Sequence, residues 1–265
     1  MNRILSAVVF LPIFYFLVRR PPVYFAALIA IACLMGLMEL YHFVAGSGLK
    51  CRRWVGSVLA LAILYTFFED RWSLAPALAA GVTIIPILSL LGSRHSLEGR
   101  LPADAVTVFG APFLAVPLGY LIGLRKLGGE LGGDLIFFLF LVVWGGDAAA
   151  YYIGSRTGRH PLAPRISPKK TIEGAVAGVL GSILAALLAR AWFFPQLRRE
   201  DCWILGALLA LSGILGDLVE SMWKRGAGVK DSATLVPGHG GILDRCDSLL
   251  FGGPILYYYF LHWMG

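Results

Sequence analysis

Residues 221–247 read SMWKRGAGVKDSATLVPGHGGILDRCD, at the place where one apolar run, 202–222, gives way to the next, 248–264. A basic cluster, a glycine-histidine turn and closely spaced aspartates are crowded into an otherwise apolar chain. Hydrocarbon gains nothing from charge, and an Asp, Lys or Arg held at a helix centre costs about 2.5–3.5 kcal/mol on insertion scales. The stretch therefore reads as a polar site at a membrane surface, and the runs on either side of it as spans.

Working outward, the composition agrees. The 265 residues are 58% hydrophobic and only 15% charged, with a mean hydropathy of +0.74, beyond what a soluble domain of this size carries. Apolar runs bounded by charge, Gly or Pro fall at 4–18, 23–44, 54–68, 74–91, 105–124, 135–153, 174–194, 202–222 and 248–264. The runs beginning at 4 and 54 are short against the roughly 20 residues a helical span needs. The expected fold is an all-α polytopic membrane protein of about nine transmembrane helices, with a cytoplasm-facing polar site formed by the C-terminal half. Residues 1–132 are expected to be N-terminal transmembrane helices and 133–265 a C-terminal catalytic region, both within one integrated membrane domain. The first run follows Arg3 and ends in Arg19, Arg20, Pro21 and Pro22 without a small-residue cleavage site, so it reads as a retained span and not a signal peptide.

Orientation follows from the basic residues. Of the 23 Lys and Arg, 15 fall at the amino terminus and in the even-numbered loops, which puts those segments, and both motif-bearing loops, in the cytoplasm. The net charge of +7 anchors such loops at anionic headgroups and attracts anionic substrates. Nucleic acid is not an expected partner, because the basic residues are dispersed among short loops and form no soluble groove. Cys33, Cys51, Cys202 and Cys246 are assigned respectively to a span, to a cytoplasmic loop, to a position near the outer surface and to the last cytoplasmic loop. No disulfide framework or CxxC metal pair follows from that distribution.

The chemistry-bearing residues gather in the second half. In WGGDAAAYYIGSRTGR, Asp147 sits near the cytoplasmic end of an apolar helix. There it is either hydrogen-bonded to Tyr151 or a neighbouring helix, or in contact with a metal or nucleotide in a wet pocket. The next loop runs LAPRISPKKTIEGAVAG, where Ser167 and Pro168 lead to Lys169, Lys170 and Thr171 before a helix that starts near Glu173. Helix-start amides beside lysines suit a phosphate, although a basic loop can equally meet lipid headgroups. Gly174, Gly178 and Gly181 read as close helix-packing positions.

In GILGDLVESMWKRGAGVKD, helical spacing puts Asp217, Glu220 and Ser221 on one face. Two acids on one face call for a metal between them, or else for an ion pair to Lys224 or Arg225. Farther on, Pro237-Gly238-His239-Gly240-Gly241 makes a turn that lets backbone approach a ligand, followed by Asp244 and Asp247 with Arg245 between them. Carboxylate oxygens suit magnesium, which keeps waters and phosphate oxygens in its shell. His239 reads equally as a general base, a phosphate donor or a turn-stabilising residue.

The order Ser221, Lys224-Arg225, Lys230-Asp231, Pro237, His239-Gly240-Gly241, Asp244-Arg245 and Asp247 resembles the signature of phosphatidate cytidylyltransferases, the CDP-diacylglycerol synthases. The likeness extends upstream through GDLVES, SPKKTIEG and WGGDAAAYYIG, over about the last 125 residues. The N-terminal half agrees mainly in hydropathy. Trp223, Val236 and Cys246 depart from the apolar residues expected there and leave the polar positions intact.

The resemblance implies that a phosphatidate oxygen attacks the α-phosphorus of CTP, giving CDP-diacylglycerol and pyrophosphate at the cytoplasmic face of a bacterial inner membrane. It implies Mg2+ held by Asp217, Asp244 and Asp247, with Asp147 and Glu220 as lesser contributors, and leaves room for a second, monovalent cation. Lys230, His239 and Arg245 are the expected catalytic residues. Ser167, Lys169, Lys170, Ser221, Lys224, Arg225, Lys230, Asp231, His239, Gly240 and Gly241 are expected to bind the substrates. Phosphatidate brings an ionised nucleophile, so His239 fits a phosphate contact better than a base. The partners are CTP, phosphatidate and membrane lipids, with a homodimer as a compatible state.

Two other readings compete. A CTP-dependent lipid-alcohol kinase would pass on the γ-phosphoryl group to a hydroxyl, and the full turn-to-Asp247 pattern argues against it. A cation-coupled transporter would need acids near the bilayer midplane and a repeat between halves, neither of which the sequence displays. No segment reads as a cytosine-recognition motif.

Overall fold

The computed structural model describes residues 2–92, 98–229 and 241–264, with side chains described between residues 11 and 263. Lys230, Asp231, His239 and Gly240 lie outside the described residues. The elements run α1 (Asn2–Arg19), α2 (Pro22–Ala45), α3 (Arg53–Phe68), α4 (Leu74–Leu91), α5 (Arg100–Lys126) and α6 (Gly129–Thr157). Then come β1 (Pro161–Ala163), β2 (Ser167–Thr171), α7 (Ile172–Trp192), α8 (Arg199–Gly226) and α9 (Leu243–Tyr259), which ends in a π-helical turn, Phe260–Met264. Each apolar run of the sequence lies on one of these helices, except that the run at 174–194 continues two residues past the end of α7. Among the described residues, α2, α4, α5, α6, α7 and α8 are long and apolar enough to cross a membrane, whereas α3 and α9 are shorter. The chain is thus an all-α, multi-spanning membrane protein, with six candidate transmembrane helices and one small hairpin among the described residues.

The chain divides into two compact units, Met1–Lys126 with Gly226–Cys246, and Leu127–Arg225 with Asp247–Gly265. In the first, α5 packs on α2 and α3. Leu114, Leu118 and Leu121 of α5 are fully buried, as are Leu37 and Tyr41 of α2 and Ile63 of α3. Several polar groups caught in this unit bond to backbone, the arrangement a low-dielectric interior favours. Tyr41 donates to the Thr107 carbonyl at 3.1 Å, and Thr107 Oγ1 accepts from the Arg52 N–H at 3.2 Å. At the other end of α5, buried Arg125 donates to the Val18 and Arg20 carbonyls, each at 2.6 Å.

The second unit is organised by small residues. Gly145, Gly146 and Gly154 of α6 face Gly174, Gly178 and Gly181 of α7, so closely that a Cβ at Gly178 would stand 3.4 Å from the Gly146 carbonyl oxygen. The three α7 glycines thus serve the packing role read from the sequence, since missing side chains let the backbones approach without lipid between them. Across this seam Ser182 donates to the Val142 carbonyl at 3.0 Å. Gly206 of α8 lies against the Ile183 backbone of α7, and Gly252 of α9 against Leu139 and Leu209. Near the far end, the buried carboxylate of Asp201 accepts from Tyr259 at 2.8 Å.

Cys202 is a free thiol. It is fully buried in the first turns of α8, with its thiol donating to the Arg198 carbonyl at 3.3 Å. Helix α8 begins at Arg199, ahead of the apolar run, so Cys202 falls inside packed helix.

Candidate active site

The loop between α6 and α7 is a folded hairpin. β1 and β2 pair antiparallel, Pro161 with Thr171 and Ala163 with Ser167, and the Ile166 N–H closes the turn on the Ala163 carbonyl at 3.1 Å. Thr171 ends β2 and caps α7, its hydroxyl oxygen accepting from the Gly174 N–H at 3.1 Å, the usual device for a helix-start donor. Glu173 turns back on the preceding segment. Its carboxylate accepts from the Arg159 and His160 N–H groups at 3.1 and 3.3 Å and meets the His160 ring at 2.6 Å. The hairpin is therefore fixed at both ends.

That rigidity matters because side chains alternate along a strand, so Lys169 and Lys170 project to opposite faces of β2. Lys169 is exposed. Lys170 reaches α8, where its ammonium forms an ion pair with Asp217. On the same helix Ser221 donates to the other Asp217 oxygen at 3.2 Å, as the four-residue spacing predicts, and Glu220 pairs with Lys224 at 3.2 Å. Arg225 ties the end of α8 to the hairpin, donating to the Ile166 carbonyl at 3.4 Å.

Two further carboxylates complete the group. Asp147 of α6 and Asp247 of α9 each lie within electrostatic reach of Asp217 and of one another, with Lys170 also acting on Asp147. Asp147 borders a small cavity between α6, α7 and α8, lined also by Gly146, Gly178, Ser182 and Gly213. Asp247 is brought to α8 by Gly216, since a Cβ there would run into the Asp247 carbonyl and the Phe251 ring. Gly213, one turn earlier, faces only the Ser248 side chain, its hydroxyl oxygen 3.3 Å from where a Cβ would be. Gly216→Ala is therefore expected to cost about 1–3 kcal/mol of stability by overpacking and to lower turnover, with Gly213→Ala milder on both. Thermal inactivation and turnover in detergent check this, and equal behaviour of the two variants would contradict it.

Three like-charged carboxylates with one lysine among them form a hard-oxygen, cation-seeking environment. Among the described residues, no three His, Cys, Asp or Glu side chains stand close enough together to hold a metal ion. Asp244 and Gly241 belong to the first unit, where Asp244 accepts from the Gly241 N–H at 3.3 Å. Ser167 is half-buried at the start of β2, and Arg245 is exposed. Sequence reasoning named Lys170 and Asp217 separately and missed their pairing. It missed the Glu173 clamp as well, although an acid in the first turn of α7 was a visible signal.

Comparison with known proteins bears on this arrangement. The chain matches the sequence profile of the Cytidylyltransferase family over residues 1–263. It is 36% identical to a phosphatidate cytidylyltransferase of Synechocystis sp., over 97% of this chain and 95% of that protein. The enzyme of that name from Bacillus subtilis is 33% identical over 97% of this chain and 96% of its own. One from Staphylococcus epidermidis is 48% identical over 46% of each chain.

Proposed function

The chain belongs to the phosphatidate cytidylyltransferase family, and from that premise we propose how its residues divide the work. It is an integral bacterial membrane enzyme of phospholipid synthesis that transfers the cytidylyl group of CTP to phosphatidate, giving CDP-diacylglycerol and pyrophosphate. The reaction is nucleotide-dependent and of a class that needs a divalent cation. All nine helices cross the membrane, and the site in region 133–265 faces the cytoplasm, where CTP is dissolved and the inner leaflet presents phosphatidate. The distribution of Lys and Arg supports that orientation.

The observation that carries the site assignment is the ion pair of Lys170 on β2 with Asp217 on α8, with Asp147 of α6 and Asp247 of α9 within electrostatic reach of that same aspartate. Asp217 and Asp247, with Asp244, would hold Mg2+, and Asp147 and Glu220 would contribute less. Bound there, the ion would screen the two anionic substrates from each other and neutralise charge moving onto pyrophosphate.

The rest falls to the chain itself. Lys169, Lys170, Lys224, Arg225, Lys230 and Arg245 draw in and orient the triphosphate and the lipid phosphate, with Ser167, Ser221, Asp231 and His239 as polar contacts. Glycines at 240 and 241 let the chain come close to phosphate oxygens without a side chain in the way. One phosphatidate oxygen forms the new bond to the α-phosphorus as the bond to the β-phosphate bridge breaks, and the electron pair leaves with pyrophosphate. No proton has to be removed from the nucleophile, because the phosphate monoester is already ionised. Catalysis is thus positioning and charge stabilisation.

Purified protein in mixed micelles should release pyrophosphate and CDP-diacylglycerol in equal amounts only when phosphatidate, CTP and Mg2+ are all present. Chelation should abolish turnover and added Mg2+ restore it. Undiminished turnover under chelation would contradict the metal-assisted site.

A further inference from the structure

Glu39 lies within the apolar helix α2 and is fully buried, with 0% of its surface exposed. The reaction as derived makes no use of it, yet an acid inside a membrane helix is costly unless it has a task. Its two oxygens accept from the backbone N–H groups of Ile242 and Leu243, each at 2.9 Å and more than 200 residues away in the chain. Those are donors at the very start of α9, which begins at Leu243.

The first N–H groups of a helix have no partner within it, and a Ser, Thr, Asp or Asn at the cap normally serves them. Here Gly240, Gly241 and Ile242 precede the helix and offer no such side chain. Asp244 turns back to accept from the Gly241 N–H. The cap is supplied instead by another helix, as two charge-assisted bonds aligned with the positive end of the α9 dipole. Gly36, three residues before Glu39, lies beside the Ile242 and Leu243 side chains, which stand 3.8 and 3.9 Å from where its Cβ would be. The same strip of α2 therefore holds the backbone of this turn through two bonds and runs beside its side chains. A two-point grip fixes the rotation of α9 about its axis as well as its position. The rotation of α9 sets the directions of Asp244 and Asp247.

We infer that Glu39 is a positioning residue for cytidylyl transfer, anchoring the first turn of α9 and with it the directions of the aspartates that the helix carries, Asp244 and Asp247. The inference rests on the reading of those two aspartates as metal ligands.

The test compares Glu39→Ala, which removes both acceptors, Glu39→Gln, which keeps one, and Asp247→Asn. Turnover is measured against Mg2+ and CTP concentration, together with the thermal midpoint of each purified variant in detergent. Glu39→Ala is expected to lower kcat about a hundredfold, the scale of an ångström misplacement. It should also raise the Mg2+ concentration for half-maximal turnover at least about fivefold, with KM for CTP within about twofold. Glu39→Gln should fall between it and the parent in both kcat and Mg2+ requirement. A role in stability alone would lower the midpoint and the active fraction and leave the Mg2+ requirement of the active fraction unchanged. That result overturns the inference, as does full turnover of Glu39→Ala. If Glu39→Ala does not fold, Glu39→Gln decides by the same criterion. Near-normal turnover of Asp247→Asn would overturn the metal reading itself, whereas an inactive Asp247→Asn beside unaffected Glu39 variants would overturn only the positioning role.

Discussion

Asp247→Asn, Asp217→Asn and Asp244→Asn are each expected to lower turnover at least about a thousandfold, which is roughly 4 kcal/mol of lost transition-state stabilisation. Asparagine keeps the volume and one carbonyl oxygen but removes the anionic ligand, so the effect should fall on chemistry and not on insertion. Folding is expected to survive in the Asp217 variant for a specific reason. The Asp217 side chain is 42% exposed, and an ion pair that open to solvent contributes little to stability. Ser221 can still donate to the remaining carbonyl oxygen, as it now does at 3.2 Å. Any well-folded variant of the three that turns over near the normal rate at low Mg2+ would remove that residue from the ligand set.

Lys170→Met should be the next most damaging change, lowering kcat/KM about a hundredfold, on the scale of losing one preorganised charge at a phosphoryl centre. Two effects coincide. The phosphates lose a cation, and Asp217 is left facing Asp147 and Asp247 without its neutralising partner. Lys169→Gln should act differently although it is the adjacent residue, because β2 turns Lys169 outward. Its loss should raise KM for the anionic substrates by less than about tenfold, with kcat little changed, and grow smaller at high salt. Steady-state kinetics of the two variants side by side check the assignment, and equal losses would contradict the division that the strand imposes.

The contrast between these lysines marks where the sequence stopped being informative. Spans were legible because hydrophobic transfer is a property of composition over a window, and α4 occupies the same residues as its apolar run, 74–91. Helix ends were less so: α8 runs from Arg199 to Gly226, past the run at 202–222, since backbone hydrogen bonding continues where the side chains turn polar. The Asp217–Ser221 contact followed from four-residue spacing. The Lys170–Asp217 pair did not, because it depends on a short hairpin whose pairing lies between segments with no strong strand pattern. Glu39 was the least legible of all. Its partners are main-chain donors, which leave no trace in residue types, and the only hint was an acid within an apolar run. The glycine-histidine turn, with Lys230, Asp231, His239 and Gly240, stays an assignment from sequence resemblance.

The central claim is the fate of the nucleotide, and labelled CTP tests it most directly. Purified protein is incubated with phosphatidate and Mg2+ and with CTP labelled at either the α- or the γ-phosphorus, and the lipid product is separated and counted. Cytidylyl transfer predicts label in the lipid from the α position only, with the γ label recovered entirely in pyrophosphate and both dependent on phosphatidate. Lipid labelled from the γ position, with release of CDP, would identify a lipid kinase instead, and no consumption of CTP at all would point to transport; either result would contradict the account.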